Sequence, residues 1–176
     1  MSILKVNTIQ DKGGNNLLVS DGAGTLSSSL VTNSPAFLYK MSGNQTISHN
    51  TNTLVSFDTK VVDTDNAFDT SAKKFTVPSG KAGLYFFCFN VAYSNSNGNT
   101  TVRFNNLLRV NGTTTIYVGD WSQAQDANAD PAIVLSGMVN LSAGDEVDVL
   151  VYQNKSSDAT LQSARTYFCG MKIIGA

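Results

Sequence analysis

One run of seven residues, from Gly83 to Phe89, is apolar at both odd and even positions. Successive side chains of a β-strand point to opposite faces, so Phe86 and Cys88 lie on the face opposite to Tyr85 and Phe87. In an antiparallel two-layer protein, one face of each sheet normally meets water. A strand that is apolar on both faces needs two burial partners: the core of its own sandwich, and a second cover. That second cover is either another subunit or a loop of the same chain.

The rest of the chain from residue 34 onward has β character as well. Charged residues make up 14% of the sequence, against about 25% in an average domain, and Thr, Ser and Asn take their place. Strand-like runs alternate with turn signals, and Asn111-Gly112 has the residues that a type I′ hairpin turn requires. The predicted strands are 36–40, 53–60, 74–77, 83–93, 101–110, 113–118, 132–141, 146–153 and 166–174. We therefore predict an all-β sandwich of eight to ten strands over residues 34–176, with a loop or one helical turn at 123–130.

Residues 1–33 differ from the sandwich and are predicted to form an extended arm. They contain short β-like runs separated by turn signals at Asp11 to Asn16 and at Asp21 to Gly24, and they contain no aromatic residue. An isolated hairpin is marginal in water, so we expect a neighbouring subunit, a second arm or a larger assembly to order the arm. The candidate attachment residues are its apolar ones: Ile3, Leu4, Val6, Ile9, Leu17, Leu18 and Val19.

The distribution of charged and apolar residues argues against two classes of partner. The net charge is −1 and the 12 basic residues are scattered, whereas a nucleic-acid surface needs a basic patch. The most apolar stretch, 83–93, is too short to span a bilayer, and the first residues lack the pattern of a secretory signal peptide. We therefore expect neither nucleic acid nor a membrane as a partner. We also expect synthesis in the cytoplasm of a cell, with the two cysteines reduced.

Residue types that carry catalytic or metal chemistry are sparse. The one histidine, His49, lies in a polar stretch, and Cys88 and Cys169 are far apart in the sequence, so no zinc ligand set is evident. The acidic cluster from Asp63 to Asp69 lacks the glycine and the closing glutamate of an EF-hand loop, so we expect turn-forming aspartates there. Nucleophile elbows and phosphate-binding loops are absent from the sequence. We predict a non-enzymatic protein with no metal and no cofactor.

Several spaced residues resemble the signature of the complement C1q globular head. In order, they are Phe57, Asp63, Phe68, Phe75 and Gly83-x-Tyr85-x-Phe87-x-Phe89, with two extra residues between Phe75 and Gly83. The segment from Leu141 to Val147, Leu-Ser-Ala-Gly-Asp-Glu-Val, resembles the family's Leu-x-x-Gly-Asp-Glu-Val turn. The segment Phe168-Cys169-Gly170-Met171 resembles the family's final strand. These pieces are collinear over about residues 36–174.

The resemblance implies a ten-stranded jelly roll, the fold shared with tumour necrosis factor, and a homotrimer around a three-fold axis. It implies that the odd-numbered aromatic residues of the 83–93 strand fill the sandwich. It also implies that Phe86, Cys88 and Phe168 lie at the trimer interface. Some heads of this family bind calcium in acidic loops, which keeps calcium open at Asp63 to Asp69. The collagen stalk of the complement proteins is absent, so their immune role is not implied.

The arm resembles the opening of many structural proteins of tailed phages from marine and fresh water, in which it precedes varied heads. The matching residues are Ser2-Ile3-Leu4-Lys5-Val6-Asn7-Thr8-Ile9-Gln10-Asp11 followed by Gly14-Asn15-Asn16. This second resemblance implies a structural protein of the virion. We therefore expect a trimeric capsid decoration protein whose arm docks on the major capsid protein.

Two other functions stay open at this point. The chain is alternatively a short tail or head fibre, whose arm binds a tail adaptor and whose head binds a host surface glycan or protein. The candidate recognition residues of such a head are Tyr117, Trp121 and Gln123, which we expect in polar loops. A secreted or cellular binding module is the third hypothesis, and the missing signal peptide argues against it.

Overall fold

The computed structural model describes residues 6–23, 25–27, 34–94, 101–124 and 130–175. The chain divides into two compact units, Met1–Asn33 and Ser34–Ala176, which are called here the arm and the head. The described residues form strands, turns and one short 3-10 helix, η1 (Ser163–Arg165). No helix within these ranges has the length and apolar character needed to cross a membrane.

The arm is a three-stranded antiparallel sheet. Its strands are β1 (Thr8–Gln10), β2 (Asn16–Ser20) and β3 (Leu26–Ser27), and they lie in sequence order. Ile9 pairs with Leu18 across the first hairpin, so both side chains lie on the same face.

An aspartate makes the same two hydrogen bonds in both turns of the arm, which are ten residues apart. In the first turn, Asp11 Oδ1 accepts hydrogen bonds from the backbone N–H groups of Gly13 and Asn15, at 2.8 and 2.9 Å. In the second, Asp21 Oδ1 accepts from the N–H groups two and four residues further on, at 2.7 and 3.0 Å. Each aspartate therefore satisfies two backbone donors of its own turn, which is why aspartate favours such positions.

The head consists of two antiparallel sheets. Its strands are β4 (Ala36–Lys40), β5 (Gln45–Ile47), β6 (Thr53–Leu54), β7 (Thr59–Asp63), β8 (Phe68–Asp69), β9 (Lys74–Thr76), β10 (Gly83–Ser94), β11 (Thr101–Val110), β12 (Thr114–Ala124), β13 (Ala132–Leu141), β14 (Glu146–Gln153), β15 (Ala159–Leu161) and β16 (Tyr167–Gly175). The first sheet has the order β5-β15-β10-β16-β4-β7, and β13 also pairs with β10. The second sheet has the order β12-β11-β14-β9-β8, and β6 also pairs with β14.

This all-β, jelly-roll-like architecture confirms the predicted fold class. The strand bounds agree with the prediction for β4, β11, β13 and β14. The single strand predicted over 53–60 is wrong, because residues 53–54 form β6 of the second sheet and Thr59 begins β7 of the first. Three short strands, β5, β8 and β15, were not predicted, and β12 is longer than expected because it continues to Ala124. Among the described residues, the head therefore has more strand segments than a count of ten, several of them only two or three residues long.

The core between the sheets is aromatic. Tyr85, Phe87 and Phe89 are fully buried, which confirms that this side of β10 fills the sandwich. The ring of Phe37 stacks on Phe75 with centroids 4.9 Å apart. Such ring pairs stabilise a core beyond the area they bury.

The structure corrects the assignment of Phe168 to a trimer interface. Phe168 is 0% exposed, and its ring packs edge-on against Phe37 with centroids 5.0 Å apart. It pairs with Phe89 across β16 and β10, and paired residues point to the same face. Phe168 therefore belongs to the core, and its neighbour Cys169 points the other way.

Glycines alternate with aromatic residues along one row of the first sheet. The row reads Gly137, Phe87, Gly170, Phe37 across β13, β10, β16 and β4. A Cβ atom at Gly170 would lie 2.5 Å from Phe87 Cδ1 and 2.7 Å from Phe37 Cε1. A Cβ atom at Gly137 would lie 2.2 Å from Cζ of Tyr117, which belongs to β12 of the second sheet. Aromatic rings thus occupy the space that side chains would need at both glycines.

Candidate functional site: the outer face of the first sheet

The candidate site is the face of the first sheet that points away from the core. The central position on β10 is Phe86, which is flanked in register by Met138 of β13 and Met171 of β16. The next row contains Cys88 and Cys169 as direct cross-strand partners. The outer face is defined by these residues and one neighbour of Cys169 on β4: Leu38, Phe86, Cys88, Met138, Cys169 and Met171.

The outer face is apolar although much of it is accessible in the single chain. Met138 is 56% exposed, Met171 is 47% exposed, and Phe86 and Cys88 are half-buried. Val62 of β7, which pairs with Leu38, extends the apolar surface with 44% exposure. Contiguous apolar surface of this kind marks an interaction site on a protein.

Phe86 and Cys88 were predicted from the sequence to lie on this face, whereas Met138 and Met171 were not. The sequence signal that could have identified Met171 is that its strand, like β10, is apolar at both odd and even positions. The position of Met138 beside Phe86 follows from the register of β13 on β10, which no pattern within either strand reveals.

Two thiols and a tyrosine meet on the outer face. The Sγ atom of Cys169 lies 3.3 Å from the backbone carbonyl oxygen of Cys88 and donates a hydrogen bond to it. Burial, reinforced by the neighbouring Cys88, raises the pKa of the Cys169 thiol to about 11. Burial also raises the pKa of Tyr167, and the two cysteines add to that effect.

The structure corrects the expectation that Tyr117, Trp121 and Gln123 lie in recognition loops, because all three belong to β12. The Tyr117 hydroxyl donates to the Met138 carbonyl oxygen at 2.7 Å and accepts from the Met138 N–H group at 3.1 Å. Tyr117 therefore joins the two sheets of the head. Trp121 and Gln123 pair with β11 opposite Phe104 and Val102 respectively, and their side chains lie outside the described residues.

The aspartates of the acidic cluster from Asp63 to Asp69 stabilise their own loop through hydrogen bonds. Asp63 accepts hydrogen bonds from the backbone N–H groups of Ala67 and Phe68, at 3.0 and 3.1 Å, and from the Tyr39 hydroxyl at 3.2 Å. Asp69 accepts from two backbone N–H groups of the following turn, at 2.8 and 2.9 Å, which lowers its pKa. These aspartates have the turn-forming roles expected from the sequence.

The single histidine is similarly engaged in loop contacts. Its Nδ1 atom contacts the carbonyl oxygen of Lys155, and its Nε2 atom lies 2.8 Å from Asn50 Nδ2. Asn50 in turn accepts a hydrogen bond from the Tyr152 hydroxyl at 2.8 Å. His49 therefore links two loops of the head. Within the described ranges, no three His, Cys, Asp or Glu side chains come together in a group able to hold a metal ion.

The attachment residues proposed for the arm divide into three groups. Ile3 and Leu4 lie outside the described residues. Leu17 and Val19 are half-buried. Three are exposed and line one shallow groove of the arm: Val6, Ile9 and Leu18.

Comparisons with known proteins agree with this architecture. The family described as the C1q domain matches residues 36–173. The globular domain of zebrafish complement 1qA protein is 17% identical, with a TM-score of 0.57, and the match covers 81% of this chain and all of that one. Murine APRIL at pH 8.0 is 14% identical, with a TM-score of 0.58 and coverages of 79% and 98%. Eiger TNF from S. frugiperda is 14% identical, with a TM-score of 0.57 and coverages of 82% and 96%.

No curated protein matches the chain. The family match spans most of the sequence and coincides with the head, from the first strand of the sandwich into its last. The solved structures share the same fold over nearly their whole length. The chain therefore belongs to the C1q domain family.

Proposed function

We propose that this chain is a non-enzymatic structural protein of a tailed-phage virion. In this proposal, three heads associate through their outer faces, and the trimer decorates the capsid by docking its arms on the major capsid protein. The observation that carries the proposal is β10, which fills the core with one face and presents Phe86 and Cys88 on an apolar surface with the other.

The association of heads rests on the composition of the outer face. Its central residue, Phe86, lies between two methionines, and methionine adapts its shape to an irregular partner. A monomer that left this surface in water would forgo the free energy of its burial, about 25 cal/mol for each Å² of apolar area. C1q- and TNF-like proteins commonly form homotrimers, so a second and a third copy of the head are the natural covers.

Attachment to a capsid rests on the arm. Its first residues resemble those of tailed-phage structural proteins, and its exposed groove residues, Val6, Ile9 and Leu18, are apolar. The strand β1 pairs only with β2 among the described residues, which leaves one of its edges available for strand addition. Three arms on one trimer would multiply a weak individual contact through their high effective concentration.

The trimer is tested with Phe86→Asp, because a carboxylate buried without a partner in an interface costs several kcal/mol. Val118→Asp is the matched control, since Val118 is an equally apolar residue, 52% exposed, on the second sheet. Light scattering should show trimeric wild type, trimeric Val118→Asp, and monomeric or insoluble Phe86→Asp. A soluble trimer of Phe86→Asp, or a monomeric wild type, contradicts the assignment of the outer face.

Docking on the capsid is tested separately on virions. Cryo-EM and quantitative mass spectrometry should find the chain in hundreds of copies spread over the shell. A handful of copies at one vertex or on the tail would instead establish the fibre alternative. Ile9→Asp combined with Leu18→Asp should leave the trimer intact and abolish its binding to particles that lack the protein, and unchanged binding would exclude the groove as the attachment site.

A further inference from the structure

Two methionines of the outer face are accessible to solvent in the single chain. Met138 is 56% exposed and Met171 is 47% exposed, whereas Met41, which follows β4, is 6% exposed and belongs to the core. Among the methionines in the described ranges, the accessible ones therefore both lie on the surface that we propose to be buried between heads. Their thioether sulfurs meet water until the heads associate.

The neighbours of Met171 on the sheet are apolar. Its cross-strand partners are Phe86 of β10 and Ala36 of β4. Along β16, Cys169 lies two residues before it on the same face. Ile174 follows on that face, because its partner on β10 lies two residues from Phe86. None of these four side chains carries an O–H or N–H group, and the Cys169 thiol already donates to a backbone carbonyl oxygen.

The neighbours of Met138 along its own strand are polar instead. Ser136 and Asn140 lie two residues away on either side along β13, so they point to the same face, and both are exposed. A serine hydroxyl and an asparagine amide both donate hydrogen bonds. A polar group at Met138 therefore has donors within reach on its own chain, whereas a polar group at Met171 has none among the neighbours named above.

The two methionines are more open to an oxidant than the cysteines of the same face. Burial raises the pKa of the Cys169 thiol to about 11, so this thiol stays protonated near neutral pH. The thiolate is the form that oxidises readily. Both Cys88 and Cys169 are also half-buried. A thioether has no proton to lose, so its oxidation depends on access to the sulfur atom.

We propose that Met171 is a redox switch of assembly. Oxidation of its thioether to the sulfoxide by hydrogen peroxide excludes a free chain from the trimer, and assembly protects the residue from the same reaction. In this step the O–O bond of the peroxide breaks and an S–O bond forms; the sulfur gives up an electron pair, and the peroxide is reduced to water. The inference rests on the association of heads through the outer face, which is proposed above.

The sulfoxide opposes association because association removes a polar group from water. Oxidation turns a flexible apolar side chain into a polar one, which disrupts interfaces rich in methionine. A buried acceptor that finds no donor loses its hydrogen bonds to water without replacement. The outer face of a second head is defined by the same apolar and sulfur-containing residues, so it offers the sulfoxide no strong donor either.

The test uses full-length chains that keep one methionine on the outer face. Met41→Leu combined with Met138→Leu leaves Met171, and Met41→Leu combined with Met171→Leu leaves Met138 as the matched control. Leucine replaces methionine at similar volume, so both variants should fold and form trimers. Met1 is common to both variants, so its oxidation affects them equally.

Each variant is oxidised while it is unfolded, so that access to the sulfur is the same. The thiols are first blocked reversibly as mixed disulfides, and the methionines are oxidised with hydrogen peroxide. The peroxide is removed, the thiols are released with dithiothreitol, and the chain is refolded. Light scattering at one chain concentration then measures trimer formation, and circular dichroism measures folding.

Oxidation should weaken trimer formation at least about tenfold in the chain that keeps Met171, and markedly less in the chain that keeps Met138. Methionine sulfoxide reductases A and B, which together reduce both epimers of the sulfoxide, should restore the trimer. Trimer formation that is unaffected by oxidation of Met171 overturns the proposal. An equal loss in both variants, or a loss that accompanies unfolding of the head, overturns it as well.

A second measurement on the wild-type chain tests the protection and needs no variant. In the assembled protein, Met171 should react with peroxide at least about tenfold more slowly than in the urea-unfolded chain, as quantified by peptide mass spectrometry. Equal rates overturn the protection by assembly. An unoxidised wild type that is monomeric contradicts the proposed function, whereas a trimer that forms regardless of oxidation contradicts only this inference.

Discussion

Replacing Gly170 by alanine tests the alternation of glycines and aromatic rings across the first sheet. The added Cβ would lie within 3.0 Å of atoms in two rings, Phe87 and Phe37, and both rings are buried. Neither ring can rotate out of the way like the end of a flexible side chain, so the steric clash is relieved only if the core shifts. Overpacking of this kind costs about 1–3 kcal/mol, and contact with two rings places Gly170→Ala at the upper end.

Part of that cost is offset in the unfolded state, because alanine restricts the unfolded chain and contributes about 0.4–1 kcal/mol of stability. A net loss of about 2 kcal/mol lowers the Tm by roughly 4–8 °C for a domain of this size. Gly43→Ala is the matched control, because no heavy atom lies within 4 Å of its added Cβ. Scanning calorimetry at one fixed protein concentration should show a Tm unchanged or slightly raised for the control. If the Tm of Gly170→Ala is no lower than that of Gly43→Ala, the packing of the two rings does not require glycine at position 170.

Two further predictions concern the link between the sheets and the thiols of the outer face. Tyr117→Phe keeps the ring over Gly137 but removes the hydroxyl that binds both backbone groups of Met138. The free energy of unfolding should therefore fall by about 1–2 kcal/mol. An unchanged midpoint of urea denaturation would refute this prediction. Because burial within its own chain raises the pKa of the Cys169 thiol to about 11, its rate of alkylation in chains kept dissociated by dilution should keep rising with pH up to about that value. A rate that levels off near pH 9, the ordinary pKa of a thiol, would show that Cys169 is not buried in this way.

Long strands were predictable because alternation extends over enough residues to be recognised. Four of them, β4, β11, β13 and β14, have the predicted bounds. A strand such as β5, with three residues, is too short for a period of two to be distinguished from chance. Its existence depends on pairing with β15, a partner far away in the sequence. Only tertiary structure supplies that information.

The end of β12 was missed for a different reason. Gly119 and Asp120 are turn-forming residues, and the predicted strand therefore stopped at Val118. In the structure, a Cβ atom at Gly119 would lie 2.8 Å from Ile133 Cγ2 and 3.0 Å from Leu135 Cδ1. Glycine is needed there because the two sheets approach closely, and not because the chain turns.

The candidate site was half predictable. The double apolar pattern of β10 correctly placed Phe86 and Cys88 opposite the core side chains. The same pattern in β16 does not show which of its residues face the core, and the family resemblance led us to assign Phe168 to the wrong side. Its pairing with Phe89 decides the matter, since both rings belong to one core. The role of Met138 likewise depends on the register between two strands.

The repeated aspartate turn of the arm has a consequence for how this part of the chain can change. Each aspartate accepts its hydrogen bonds from groups of its own turn, from Asp11 to Asn15 and from Asp21 to Thr25. A strand and its turn therefore form a repeat of ten residues, and a duplication of one repeat would add a strand while each turn kept its own hydrogen bonds. Such duplications would change the arm by whole repeats of ten residues, while the head keeps its sequence.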